Sequence, residues 1–375
     1  MDRLSLVPSY LSQLATYQAG KPISEVAREY GLTRISKLAS NENPFGPSPL
    51  AIEAIKNHFL DLHRYPDMYA YDLRQALAQK FQLKMSNIVL GNGSEGIMGY
   101  IVRAFLGENQ EVLSAEKSFV GFKVLSQSVG AKRVTISLDK NFNIPVEDMA
   151  KKITSKTKII YIANPNNPTG TYMKKDEFDY LMKFVPEHVL VILDEAYFEY
   201  AQYLMGDYPD SMDYRYDNVI TLRTFSKAYG LAGLRIGYGF AHEDLISILF
   251  KVKLPFEPGS LAQVAALAAL KDQTHLEKTL QVNKDHKEKL TNYLDAHDFE
   301  FIPSITNFVS IKTGSKEASE FLFQELMKQG VIIRPLGANE MPDYIRVSIG
   351  SEGEMDHFYE ALSKILPNYN VKFRN

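Results

Sequence analysis

The sequence predicts an α/β fold, with a large three-layer α/β/α domain on a mostly parallel sheet, followed by a smaller α/β unit. Three observations carry this. Short, β-branched apolar runs recur between residues 88 and 240, helical patterns separate them, and after residue 255 the chain turns to a long helix and a second set of strands. Apolar strands alternating with helices imply crossover units and a parallel sheet buried on both faces. Right-handed crossovers then place helices on both sides of the sheet.

The elements run in this order. Residues 1–35 read as an irregular arm and a short helix, Ile23 to Tyr30, stopped by Gly31. A Pro-rich turn runs from Asn41 to Pro47. Ile88 to Leu90 reads as a strand and Ile97 to Leu106 as a helix. Further strands are expected at Glu111 to Ala115, Val134 to Ile136, Lys158 to Ala163, Val189 to Leu193, Val219 to Arg223 and Ile236 to Phe240. From Leu261 to Tyr293 the pattern is helical and broken at most once, and Phe308 to Ile311, Val331 to Ile333 and Ile345 to Ser348 read as strands. We expect an arm with a short helix (1–35), a large domain (36–255) and a small domain (256–375), divided near Pro255 and Pro258.

Composition narrows the function. With 375 residues, two domains are the natural prior. Lys and Arg total 42 against 45 acidic residues, a balance of −3 that argues against a nucleic-acid binder. The absence of cysteine removes disulfides and thiolate metal sites. No long apolar run comes after a basic start, so no signal peptide is expected. The apolar stretch Leu261 to Leu270 is interrupted by Gln263 and too short to span a bilayer. A soluble, cytoplasmic protein is the reading. The eight histidines form no H-E-x-x-H pair, so no metal is expected.

In open parallel sheets ligands bind beyond the carboxyl ends of the strands, and several strands here lead directly into polar segments. After Leu90 comes Gly91-Asn92-Gly93-Ser94-Glu95-Gly96 and a helix. Glycines admit a ligand to the backbone, and a helix N-terminus offers N–H groups to a phosphate. The same run fits a dinucleotide loop or a plain tight turn. After Ala163 comes Asn164-Pro165-Asn166-Asn167-Pro168-Thr169-Gly170, composed of turn residues. Asp194 closes an apolar strand, where a carboxylate needs a partner or else caps a helix. Lys227 stands among apolar residues and glycines, beside Thr224 and Ser226, with Arg235 eight positions on.

Together these segments resemble fold-type-I aminotransferases that use pyridoxal 5′-phosphate (PLP), and more narrowly histidinol-phosphate aminotransferases. The likeness runs from Tyr17-Gln18-Ala19-Gly20 to Tyr344-Ile345-Arg346-Val347. It includes Leu38-Ala39-Ser40-Asn41-Glu42-Asn43-Pro44 and Arg64-Tyr65-Pro66-Asp67. The resemblance implies that Lys227 forms the Schiff base with PLP and shuttles the proton. Asp194 would pair with the ring nitrogen, Tyr197 and Asn167 with the ring oxygen, and Phe119 would stack on the ring. Gly93, Ser94, Glu95, Ser226, Thr224 and Arg235 would hold the phosphate. Tyr65 would reach the phosphate of a neighbouring subunit, making a homodimer with shared sites. Tyr17, Asn43, Arg334 and Arg346 would contact substrate. Two positions depart from the family pattern: Lys117-Ser118-Phe119 in the stacking segment, and Gly96 where a second acidic residue is usual.

The implied reaction is transamination between L-histidinol phosphate and 2-oxoglutarate in histidine biosynthesis. Aromatic or branched-chain amino-acid aminotransferases and a threonine-phosphate decarboxylase share much of the pattern. A dinucleotide-binding oxidoreductase, resting on Gly91 to Gly96, leaves Lys227, Asn167 and Asp194 without a role. Both Arg334 and Arg346 are present, which favours a doubly anionic or phosphorylated substrate.

Overall fold

Every run expected between Ile88 and Phe240 pairs into one seven-stranded sheet. The computed structural model describes residues 6–12, 14, 20–214 and 216–373. Its strands are β1 (Ile88–Gly91), β2 (Glu111–Ala115), β3 (Lys132–Ile136), β4 (Thr157–Ala163), β5 (Leu190–Asp194), β6 (Val219–Thr224) and β7 (Gly237–Phe240). The spatial order is β1-β7-β6-β5-β4-β2-β3. All neighbours are parallel except those of β7, which runs antiparallel to both β6 and β1. One antiparallel strand within a parallel sheet is the "mostly parallel" arrangement expected.

The central strands are aliphatic because both faces are covered. Residues Leu190 to Asp194 and Val219 to Thr224 are buried throughout. On one face Ile97, Ile101 and Leu249 from helices pack against Val89, Ile159 and Ile220. On the other, Phe178, Leu181 and Met149 pack against Ile160, Ile162 and Val191. The carboxyl ends of the parallel strands β2, β4, β5 and β6 share one edge, and Gly91, Ala163, Asp194 and Thr224 end their strands beside the polar segments the sequence singled out.

A second sheet of four strands orders Arg334–Pro335, Tyr344–Ser348, Phe308–Lys312 and Phe301–Ile302, all antiparallel. It has its own core, in which Leu322, Leu326, Phe358 and Leu362 cover Val309, Ile311 and Val347. The helical pattern after residue 260 breaks once, into Ser260–Ala269 and Gln273–Ala296. Asp272 starts the second helix by accepting from the His275 N–H at 3.1 Å. The helix Ile23–Tyr30 ends where Gly31 adopts φ 65° and its N–H bonds the Ala27 carbonyl. Its Val26 packs with Ala39, Met327 and Ile332, and Ser36–Lys37 pairs parallel with Val331–Ile332. The segment before the large sheet is thus tied to the C-terminal sheet rather than only to its own sequence neighbours. Among the described residues no helix is long and apolar enough to cross a membrane.

Candidate active site

A cleft of about 270 Å³ opens at the shared strand edge, between the two sheets. Thirteen of the sixteen residues singled out from the sequence line it. The exceptions are Tyr17, Tyr65 and Asn43. Tyr17 lies outside the described residues.

Lys227 comes just after β6 and sits on the cleft wall, where its Nζ donates to the Ser40 carbonyl at 3.1 Å. Burial pushes its ammonium down to about 8, with Arg346 and Arg235 acting the same way against Glu42 and Asp194. An amine so placed is a usable nucleophile near neutral pH.

Asp194 ends β5. Burial raises its carboxyl to about 6, while the Tyr161 hydroxyl and the Ala196 N–H favour its charged form. Tyr161 donates to Oδ2 at 2.7 Å. Oδ1 is buried without a well-formed hydrogen-bond partner. A buried carboxylate oxygen left so is costly unless a ligand supplies the donor.

At the other end of the cleft, the helix Gly93–Phe105 presents its N-terminus. Gly93 has φ 75°, and a Cβ there would stand 2.6 Å from Nη2 of Arg235, so the guanidinium packs against bare backbone. Arg235 Nη1 donates to Ser226 Oγ at 3.3 Å, and Thr224 Oγ1 donates to Ser226 Oγ at 3.0 Å. Backbone N–H groups at a helix start, two hydroxyls and a guanidinium form an anion cradle.

Between amine and cradle, Phe119 covers one side. Its ring turns back over Gly121, where a Cβ would meet it at 2.6 Å. Tyr197 is buried, and its hydroxyl oxygen accepts from Asn41 Nδ2 at 2.8 Å, which leaves its own hydrogen to donate elsewhere. Asn167 Oδ1 accepts from Arg346 Nη1, so its amide nitrogen remains the donor. Arg346 Nη2 also donates to the Ala39 carbonyl at 2.9 Å. Arg334 and Asn339 line the same cleft.

Two of the expected residues stand away from the cleft of their own chain. The resemblance puts Asn43 against substrate. Instead Nδ2 donates to the Ala228 carbonyl (2.9 Å) and Thr279 Oγ1 (3.1 Å), and Oδ1 accepts from the Phe45 N–H. It braces the turn, because the chain faces the cleft two residues earlier, at Ala39 to Asn41. Tyr65 is 81% exposed and stacks on Phe256 at 4.3 Å, away from the cleft of its own chain.

The structure also adds residues that the sequence did not single out. Asn41 adopts φ 55°, which asparagine tolerates better than most residues, and links Tyr197 to Ser348 of the second sheet. Asn339 comes from a turn with no motif. Tyr161 had a legible signal, since a buried tyrosine in an aliphatic strand needs a partner for its hydroxyl.

The residues present fit the cofactor that the resemblance implies. An amine, an unsatisfied carboxylate oxygen and an anion cradle stand in one cleft, and they answer the aldehyde, the ring nitrogen and the phosphate of PLP.

Comparison with known proteins agrees. Residues 33–362 match the family described as aminotransferase class I and II. The chain is 43% identical over 366 residues to histidinol-phosphate aminotransferase 2 of Hydrogenovibrio crunogenus, covering 97% of each chain. It is 42% identical to histidinol-phosphate aminotransferase 1 of Nitrosococcus oceani, covering 95% of each. Among solved structures, the histidinol-phosphate aminotransferase of Sinorhizobium meliloti in complex with PLP superposes with TM-score 0.89 at 28% identity, covering 98% of each chain. A Thermus thermophilus aspartate aminotransferase double mutant has the same fold, with TM-score 0.82 at 21% identity, covering 96% of this chain and 99% of that one.

Proposed function

The chain belongs to the class I and II aminotransferase family, and from that premise we propose that it converts L-histidinol phosphate and 2-oxoglutarate to imidazole acetol phosphate and L-glutamate, in histidine biosynthesis. It is a PLP-dependent aminotransferase. The observation that carries the choice of substrate is that Arg334 and Arg346 line the cleft that holds Lys227. A phosphorylated donor and a dicarboxylic acceptor each need such anion partners. Full-length likeness to enzymes of that name supports it further.

Bound PLP supplies an electron sink that makes the Cα proton of an amino donor removable. The chain does the rest. Lys227 Nζ would hold the cofactor and, as a free amine, would carry the proton from the donor's Cα to the cofactor. Asp194 Oδ1 is the oxygen available to the protonated ring nitrogen. The Tyr197 hydroxyl and the Asn167 amide nitrogen are the donors for the ring oxygen, and Phe119 covers the ring face. Gly93, Ser94, Glu95, Thr224, Ser226 and Arg235 hold the phosphate end. Arg346 takes a carboxylate and Arg334 the donor's phosphate.

A homodimer with shared sites belongs to this reading. Leu60 is 89% exposed, with Phe59, Leu62, Tyr65 and Tyr69 also open to solvent nearby. Exposed apolar side chains gathered in one segment support an interface there. Tyr65 from one subunit would reach the phosphate end of the other. The division into arm (1–35), cofactor domain (36–255) and small domain (256–375), and a cytoplasmic location, complete the proposal.

The test mixes PLP-loaded protein with single amino donors and tracks the visible absorbance in one turnover. L-histidinol phosphate should bleach it faster than phenylalanine, tyrosine, glutamate or threonine phosphate. Arg334→Ala should cost the phosphorylated donor roughly ten- to a hundredfold, the loss of a charged hydrogen bond, and phenylalanine little. Faster bleaching by the aromatic amino acids would keep the chemistry and move the substrate.

A further inference from the structure

Asp194 has two oxygens with different surroundings, and the difference traces to one residue. Tyr161 lies on β4. Ala163 of that strand pairs with Asp194 of β5, and Tyr161 stands two residues earlier, hence on the same face. Its ring is almost fully buried and stacks on Phe122, with centroids 4.2 Å apart and planes 13° apart. The stack fixes the ring, and only the hydroxyl is left to make a directed contact. That contact is Asp194 Oδ2, at 2.7 Å.

We propose that Tyr161 is the positioning residue for Asp194, its hydroxyl holding Oδ2 so that Oδ1 is presented to the ring nitrogen of the cofactor. The inference rests on the role given to Asp194 above. A carboxylate at a strand end can turn about its side-chain torsions, and a donor fixed by packing selects one orientation. Tyr161 also acts on charge. The groups facing Asp194 are Tyr161 from β4, Glu95 from the helix Gly93–Phe105, the Ala196 N–H, Tyr197, and Lys227 after β6. Burial and Glu95 favour the neutral acid, whereas Tyr161, the Ala196 N–H and Lys227 favour the carboxylate. Loss of the hydroxyl therefore tips Asp194 toward the protonated form, which carries no negative charge to stabilise a pyridinium.

The simpler account is that Asp194 merely satisfies a buried tyrosine. Tyr161→Phe separates the two, since it keeps the stack on Phe122 and removes only the hydroxyl. Cofactor-free protein is titrated with PLP, and with an analogue in which carbon replaces the ring nitrogen. The variant should bind PLP roughly ten- to a hundredfold more weakly than the wild type, the loss of one hydrogen bond to a charged group. The pH midpoint below which binding is lost should move upward. With the carbon analogue the two proteins should bind alike. An unchanged PLP affinity and midpoint, or an equal loss with both ligands, would overturn the proposal. If the wild type did not prefer PLP over the analogue, the role of Asp194 would fall, and this inference with it. If the wild type and the variant prefer PLP equally, only the inference about Tyr161 falls.

Discussion

Gly93→Ala separates the folding cost of the phosphate cradle from its binding work. Gly93 sits at φ 75°, and a β-carbon there lies 2.6 Å from Nη2 of Arg235. The left-handed backbone costs an alanine roughly 1–2 kcal/mol, with or without ligand. The contact is a different matter. Non-bonded heavy atoms settle at about 3.5–4.0 Å, so the guanidinium must retreat by about an ångström. It then loses its alignment on the phosphate, a charged hydrogen bond worth about 1.5–3 kcal/mol. At about 1.4 kcal/mol per tenfold, PLP affinity should fall roughly ten- to a hundredfold. Titrating cofactor-free protein with PLP measures the second effect, and denaturant unfolding of the same protein measures the first. Gly93→Ala combined with Arg235→Ala should bind PLP no more weakly than Arg235→Ala alone, because both act on one contact. Wild-type affinity in Gly93→Ala, or losses that multiply in the double variant, would refute the reasoning.

Two further predictions concern the amine and the subunit contact. Lys227 is held near 8 by burial and by Arg346 and Arg235, so its neutral, reactive form is lost as pH falls below that value. The rate at which cofactor-free protein captures PLP should rise about tenfold per pH unit up to that point and then level off. A rise continuing to pH 10 would show an ordinary lysine instead. Leu60→Glu should weaken dimerisation, read by sedimentation, by at least about a hundredfold. Burying a leucine contributes about 1.5–3 kcal/mol, and a two-fold interface counts it twice. A dissociation constant equal to that of the wild type would remove Leu60 from the contact.

The fold was legible because buried parallel strands leave a plain trace. Ile159 to Ala163 and Val219 to Leu222 are mostly aliphatic and buried on both faces, and helices cover both. The antiparallel course of β7 was not legible, since the run Ile236 to Phe240 reads the same in either direction. In the site, Lys227, Asp194 and Asn167 stood out as polar groups after apolar strands. Asn41 did not, because its work depends on a left-handed turn and on Ser348, three hundred residues away in sequence. Asn43 is a related case. Asn41 and Asn43 both sit in one Pro-rich turn, and only the backbone path decides which of them faces the cleft.

The cleft belongs to both sheets. Arg346, from the second sheet, binds Asn167 Oδ1, which follows β4 of the large sheet, and the Ala39 carbonyl of the segment tied to its own sheet. Ser348, two residues on and on the same face, binds Asn41, which in turn binds the Tyr197 hydroxyl. Both donors assigned to the ring oxygen are therefore oriented from one strand of the second sheet. A carboxylate arriving at Arg346 meets a guanidinium already engaged with the amide beside the cofactor. Anion binding and the orientation of Asn167 are thus linked through a single side chain. Charge alone does not describe residue 346, because a lysine there would keep the charge and lose the planar fork that makes both contacts.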